Sequence, residues 1–349
     1  VLLGISSSQI IGKPLPEVFP FLGEWMDRLE EFGERVVKFG GRELVFDLWT
    51  TSTHGIYAGY ILISDYKAEK EKELRLRTQM LKKRQHAKYT VYNIKGESEA
   101  IERCRKTAMK FARSRASVLI TGASGTGKEL FASAIHNASA RRDGPFVPIN
   151  CGALVESLLE SELFGYEEGA FTGARRGGKK GVFELAHEGT LFLDEINSMD
   201  IALQAKLLKV IENKTVRRIG SEKELAINCR ILCALNEDPL ECIENGKLRR
   251  DLYYRLSSCI LHIPPLRSRK SDIPLLCGCF ITRFNREYGQ HIRRIDSGLM
   301  ERFLRYQWPG NVRELQHVVE SAYSVSEQNL DVLRLEHISP YYRSFFAEP

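Results

Sequence analysis

The chain has 349 residues, 43% of them hydrophobic and 28% charged, which is enough apolar material for two or three cored units and too much for a disordered chain. Its net charge of +6 is confined: residues 67–88 hold nine basic side chains against three acidic ones, and 42 of each sign remain elsewhere, which excludes a broad basic nucleic-acid-binding face. No apolar run approaches the ~20 residues that cross a bilayer, and no basic segment with an apolar core follows Val1, so neither an integral membrane protein nor a signal peptide is read.

Residues 1–66 read as a small α+β module. Leu44, Phe46 and Leu48 alternate with Val45, Asp47 and Trp49, a Thr/Ser/Gly turn follows, and Gly59 to Asp65 supplies a second strand, antiparallel to the first. Residues 67–90 are predicted to form a charged linker helix, because Lys67 to Lys88 contain no Gly or Pro and pair Glu69 with Lys72 and Glu71 with Arg75 at helical spacing. A solvated linker face, a parallel dimer-forming helix and a nucleic-acid or membrane contact are all open readings of that charge.

Residues 91–265 alternate short apolar strands with amphipathic helices, the pattern of a parallel sheet covered on both faces. Strands are predicted at Ser117 to Thr121, Phe146 to Asn150, Thr190 to Asp194 and Arg230 to Leu235, and Leu203, Leu207, Leu208 and Ile211 form the core-facing stripe of a helix. Residues 266–349, beyond Pro264-Pro265, turn helical, with Trp308-Pro309-Gly310-Asn311 introducing a helix from Val312. The eight Cys, all between Cys104 and Cys279, match no common zinc or disulfide spacing and read as reduced, mostly buried thiols of a cytosolic protein.

Two segments carry chemistry. Gly122-Ala123-Ser124-Gly125-Thr126-Gly127-Lys128 lies between a strand and a helix holding Leu130, Phe131 and Ile135. A phosphate needs close backbone N–H groups, a helix N-terminus behind them and a cation in reach, and this P-loop supplies all three. Glu129 departs from the pattern, standing where most P-loops place a Ser or Thr hydroxyl on magnesium. Leu191-Phe-Leu-Asp194-Glu195 is an apolar strand that ends in two carboxylates, at the sheet edge where the P-loop lies. Asp194 is expected to hold Mg2+ through water, and Glu195 to orient and deprotonate the attacking water.

The loop Gly169-Ala170-Phe171-Thr172-Gly173-Ala174, after Glu168, has no part in phosphate binding. It resembles the hallmark loop of the sigma-54-dependent transcription activators, the bacterial enhancer-binding proteins of the AAA+ class. Asn150-Cys151, Glu162-Leu-Phe-Gly165, Leu248-Arg249-Arg-Asp251-Leu-Tyr-Tyr-Arg255-Leu256 and Trp308-Pro-Gly-Asn-Val-Arg313-Glu-Leu315 look like the same family, over roughly residues 92–340. The resemblance implies a fold: an AAA+ α/β domain with a helical lid. It also implies ATP as substrate, a homo-oligomeric ring of six or seven subunits, and sigma-54 RNA polymerase as partner.

By the same resemblance Phe171 and Thr172 meet sigma-54, and Asn150 restrains Glu195. Arg249 and Arg255 serve a neighbour's γ-phosphate, and Asn236 and Arg313 are the two sensors. Leu235 stands where the family places Thr, and Lys95 where the adenine pocket is usually apolar. Residues 1–66 with the helix after them resemble, more weakly, part of a PAS sensory domain whose beginning is expected upstream. The family's helix-turn-helix would follow the lid, and residues 341–349 leave no room for it, so DNA contact is expected only through a domain absent from this chain. No membrane contact is expected. A nucleotide-binding AAA+ regulator or remodelling ATPase that does not act on sigma-54 is the rival reading.

Overall fold

The computed structural model describes residues 11, 13 and 17, residues 35–39, 42–53 and 56–65, and residues 86–346 apart from 172–176 and 326–329. The chain divides after Arg84 into two compact units. In the first, β1 (Arg35–Phe39), β2 (Arg42–Thr53) and β3 (Ile56–Asp65) form an antiparallel sheet in the order β1-β2-β3. The predicted hairpin is β2–β3, paired from Thr53↔Ile56 to Leu44↔Asp65, and β1 adds a strand that its short, charged sequence did not announce.

The predicted linker helix falls mostly outside the described residues, but its last part is described and is not helical. Residues 86–90 form no helix because the Asn137 amide takes the Ala87 and Tyr89 carbonyls at 3.0 and 2.8 Å, pinning the segment to the end of the P-loop helix. The linker therefore cannot run as a helix to residue 90.

The second unit opens with α1 (Glu99–Ala112), capped by Ser98, then β4 (Val118–Thr121) and α2 (Lys128–Asn137). There follow β5 (Phe146–Asn150), α3 (Glu156–Phe164), the small antiparallel pair β6 (Gly165–Tyr166) and β7 (Lys179–Lys180), and β8 (Thr190–Asp194). Next come α4 (Ile201–Asn213), the hairpin β9 (Thr215–Arg217) and β10 (Glu224–Ala226), β11 (Arg230–Leu235), α5 (Arg250–Leu256) and β12 (Cys259–His262). Five strands form one parallel sheet in the order β12-β4-β11-β8-β5. The fifth, β12, is only four residues long before Pro264-Pro265, too short for a periodicity to show.

Alternation along the strands divides the core. Leu232 and Ala234 of β11 pack with Phe131 and Ile135 of α2 on one face, and Ile231, Cys233 and Leu235 pack with Leu203 and Leu207 of α4 on the other. Each such Leu or Phe side chain, fully removed from water, stabilises the sheet by roughly 1.5–3 kcal/mol. Six of the eight Cys are buried and all are free thiols; burial pushes Cys151 and Cys277 up to about 12. The lid has its own core around Trp308, Phe284 and Phe303, built from α6 (Ile273–Tyr288), α7 (Ser297–Arg305) and α8 (Asn311–Val325).

Candidate active site

The sheet order fixes where the chemistry meets. β4 leads into the P-loop, β8 ends in Asp194, and β11, which ends before Asn236, lies between them. A cavity of about 610 Å3 opens at these carboxyl ends, lined by Ser124 to Glu129, Asp194, Glu195 and Arg313. Gly122 and Ala123 lie behind it, and their carbonyls accept from Lys128 Nζ at 2.8 and 3.3 Å. Asn236 is not among its lining residues; its Oδ1 accepts from Asn197 Nδ2 at 3.0 Å.

Burial sets the electrostatics. Desolvation pulls the Lys128 ammonium below its ordinary value, and the charges of Asp194 and Glu195 oppose that pull. Asp194 is pushed up, first by burial and then by Glu195 and Glu129, with Lys128 acting the other way. A cation and a carboxylate that both stand uneasily in a cavity at the N-terminus of a ten-residue helix suit a phosphate with a divalent ion. Glu195 is held in the left-handed region, φ 53° and ψ 49°, a conformation that costs a non-glycine residue of order 1–3 kcal/mol and here turns the side chain off the end of β8.

Asn150 is the β5 partner of Asp194 across the sheet. Its Oδ1 accepts the Gly152 N–H at 2.8 Å, and among the described residues no hydrogen bond joins it to Glu195. Glu195 lies instead against Gly152, where a Cβ would stand 2.8 Å from its Oε2. Arg249 and Arg255 do not line the cavity. Arg249 is bound to Asp251 by two hydrogen bonds, Nε to Oδ1 at 3.1 Å and Nη2 to Oδ2 at 2.7 Å, and Arg255 is exposed on α5.

The lid is bonded directly to the P-loop. Asn311 Nδ2 donates to Ser124 O at 2.8 Å, Val312 N to Gly125 O at 3.1 Å and Arg313 Nη1 to Ser124 Oγ at 3.3 Å. Gly125 has φ +78°, and a Cβ there would sit 2.1 Å from Gly310 O, so only glycine allows the approach. Arg269 and Asp272, both buried, complete the joint: Arg269 Nη2 donates to Thr126 O at 3.4 Å, and Asp272 accepts from the Glu97 and Ser98 N–H groups at 2.7 Å each. In the sequence Asn311 reads as punctuation and Arg269 and Asp272 carry no motif, although charged residues set beside the apolar run from Ile273 are the signal of a buried pair.

The departures resolve simply. Leu235 is buried in the core and its carbonyl accepts from Gly122 N at 3.2 Å, and Lys95 is exposed at the cavity rim. At the distant loop, Gly169, Ala170 and Phe171 are described, while Thr172, Gly173 and Ala174 lie outside the described residues. Phe171 is exposed and meets buried Tyr166 edge-on at 4.9 Å, and the loop stem is clamped by Arg218, which bonds Glu184 at 2.8 and 2.7 Å and Glu167 at 3.2 Å.

Residues 94–262 match the Sigma-54 interaction domain family and residues 267–346 the AAA+ ATPase lid domain family. The chain belongs to the sigma-54-dependent activator family of AAA+ P-loop ATPases. Among its relatives are the transcriptional activator RocR of Bacillus subtilis (strain 168), 46% identical over 75% of this chain and 57% of RocR. The regulatory protein AtoC of Escherichia coli (strain K12) is 50% identical over 63% of this chain and 47% of AtoC. The crystal structure of NtrX from Brucella abortus in complex with ATP is 31% identical over 78% of this chain and 59% of that one, with a TM-score of 0.66. The chain thus spans about half the length of the curated relatives it matches. Among the described residues no helix is long and apolar enough to cross a membrane.

Proposed function

We propose that this chain hydrolyses ATP at the boundary between subunits of a ring and uses the energy to remodel the sigma-54 RNA polymerase closed complex in the bacterial cytoplasm. The observation that carries this reading is the division of charge: Lys128, Asp194 and Glu195 line one cavity, and Arg249 and Arg255 stand outside it. A transferring phosphoryl group is stabilised by cations on more than one side, and in this reading Arg249 and Arg255 add theirs at a second copy's cavity, beside that copy's Lys128 and Arg313. Residues 1–66 act as a sensory module upstream of residues 91–265 and 266–349, a reading that the antiparallel sheet of β1, β2 and β3 suits.

In this mechanism the P-loop N–H groups and Lys128 hold the β- and γ-phosphates, and Arg313 reaches them from the lid. Asp194 would hold magnesium through water, and the ion would neutralise phosphate charge. Glu195 takes a proton from the water whose oxygen attacks the γ-phosphorus as the bond to the bridging oxygen breaks. Asn236, held by Asn197, reports the state of the phosphates to the turn carrying Glu195. The rival in which nucleotide is bound without turnover gives Glu195 no role in a cavity it lines.

The loop at Phe171 gives the ring its target. The exposed ring of Phe171 and the hydroxyl of Thr172 are the groups assigned here to sigma-54 contact. The test is binding of sigma-54 in the presence of ADP and aluminium fluoride. The parent chain should form the complex and Thr172→Ala should lose it while keeping its ATP affinity. A variant that binds sigma-54 as the parent does would overturn the assignment of partner to this loop.

A further inference from the structure

Gln204 is fully buried on the apolar face of α4, beside Leu203 and Leu207, where a leucine or methionine would pack without any polar requirement. Its amide instead spends three hydrogen bonds on backbone. Nε2 donates to Met199 O and to Lys247 O, both at 2.8 Å, and Oε1 accepts from Arg249 N at 2.9 Å. Both amide hydrogens are used, so the side chain is fixed in one orientation.

The three partners belong to the two halves of the chemistry. Met199 closes the short turn after Glu195, in which Ser198 N donates to Glu195 O at 2.9 Å and Met199 N to Ile196 O at 3.2 Å. Lys247 and Arg249 belong to the segment that presents Arg249 at the surface. A second route joins the same two segments: Asn197 Nδ2 donates to Glu237 Oε1 at 2.8 Å, and Lys247 Nζ pairs with Glu237 Oε2 at 2.7 Å. That route ends in an ion pair whose side chains are 49% and 41% exposed, which water weakens, so the buried amide is the stiffer connection.

We infer that Gln204 is a positioning residue for Arg249, locking the backbone of the donated arginine to the turn that carries the subunit's own Glu195. The inference rests on the trans-arginine reading above and adds to it the group that sets the arginine's place. A hydrolysis-linked shift of the Glu195 turn is thereby passed, through one side chain, to the arginine that this subunit offers its neighbour.

The test is subunit mixing with Gln204→Met, which keeps the volume and removes the three bonds, and with Gln204→Glu, which keeps the shape and an acceptor. Either variant is expected to bind ATP within about threefold of the parent and to lose about tenfold or more in kcat. Mixing it with Glu195→Gln subunits should restore activity, because Glu195 of the variant then faces an undisturbed Arg249. Mixing it with Arg249→Ala subunits should restore none, because no boundary then has a well-placed arginine. A merely structural defect would treat the two mixtures alike.

Equal rescue by both partners, rescue by neither, or kcat within threefold of the parent overturns the inference. So does failure of both variants to fold. An Arg255→Ala plus Glu195→Gln mixture serves as control: if it shows no rescue, the trans reading itself fails and takes the inference with it.

Discussion

Lys128 and Arg249 are cations assigned to the same phosphate chemistry, yet Lys128 is 8% exposed while the Arg249 side chain is 36% exposed and already paired with Asp251. Burial makes Lys128 costly as an ion, so an arriving anion gains most there. Arg249 has no such deficit, because water and Asp251 satisfy it. Under the proposed mechanism it becomes effective only when a neighbour excludes the water and competes with Asp251. Under the proposed mechanism, ATP binding is therefore a property of the single subunit and turnover a property of the boundary.

The largest effect that could break this contrast is on the cis side. Glu195→Gln keeps the side-chain shape and the strained turn but removes the base, so kcat is expected to fall by roughly 10²–10⁴ with ATP affinity retained. Lys128→Ala should instead weaken ATP binding itself. Steady-state phosphate release and calorimetry separate the two. Hydrolysis by Glu195→Gln within tenfold of the parent would remove the role given to Glu195.

On the trans side the effect is conditional on assembly. Specific ATPase activity should rise with protein concentration, and Arg255→Ala should be nearly inactive alone. Mixed with Glu195→Gln it should recover part of the parental rate, since some boundaries then pair an intact Glu195 with an intact Arg255. A rate independent of concentration, without recovery on mixing, would mean that the site is complete within one chain.

The same contrast governs what could be read from sequence. The P-loop is contiguous and its requirements fall on seven consecutive residues, so Gly122 to Lys128 announced themselves, and the apolar strand before Asp194 marked the second element. The parallel sheet followed from the same alternation, except β12. What stayed hidden joins residues far apart in sequence. Gly125 admits Gly310 O across 185 positions of chain, and Gln204 reads as one polar residue in a helix until Lys247 and Arg249 fold onto it. Its spacing of three from Leu207 and four from Leu208 puts it on the apolar stripe, and that was the available signal. Arg249 and Arg255 had no signal but the resemblance, because an arginine at a helix N-cap or on an exposed helix position looks like any other.

The smallest expected effect sharpens the contrast through pH. His136, at the end of the P-loop helix, is buried against Phe146 with Nδ1 2.9 Å from Thr190 Oγ1, where the strand leading to Asp194 begins. Burial, with the nearby charges of Arg230 and His86, lowers it from 6.5 to about 4, although carbonyls at Arg142 and Gly144 favour the proton. The unfolded chain binds the proton below 6.5 and the folded one only near 4. Stability is therefore full above 6.5, falls as pH drops through that window, and levels below it. Between pH 6.5 and 5 the loss is roughly 2 kcal/mol. Asp251 is held below its ordinary value by Arg249, so its contribution also falls with acid, but that pair is exposed and screened. Urea midpoints at the two pH values should therefore differ more for the parent than for His136→Asn, whose amide can keep a bond to Thr190 but does not titrate. Equal pH dependence in the two proteins would show that the P-loop helix is not anchored through a neutral imidazole.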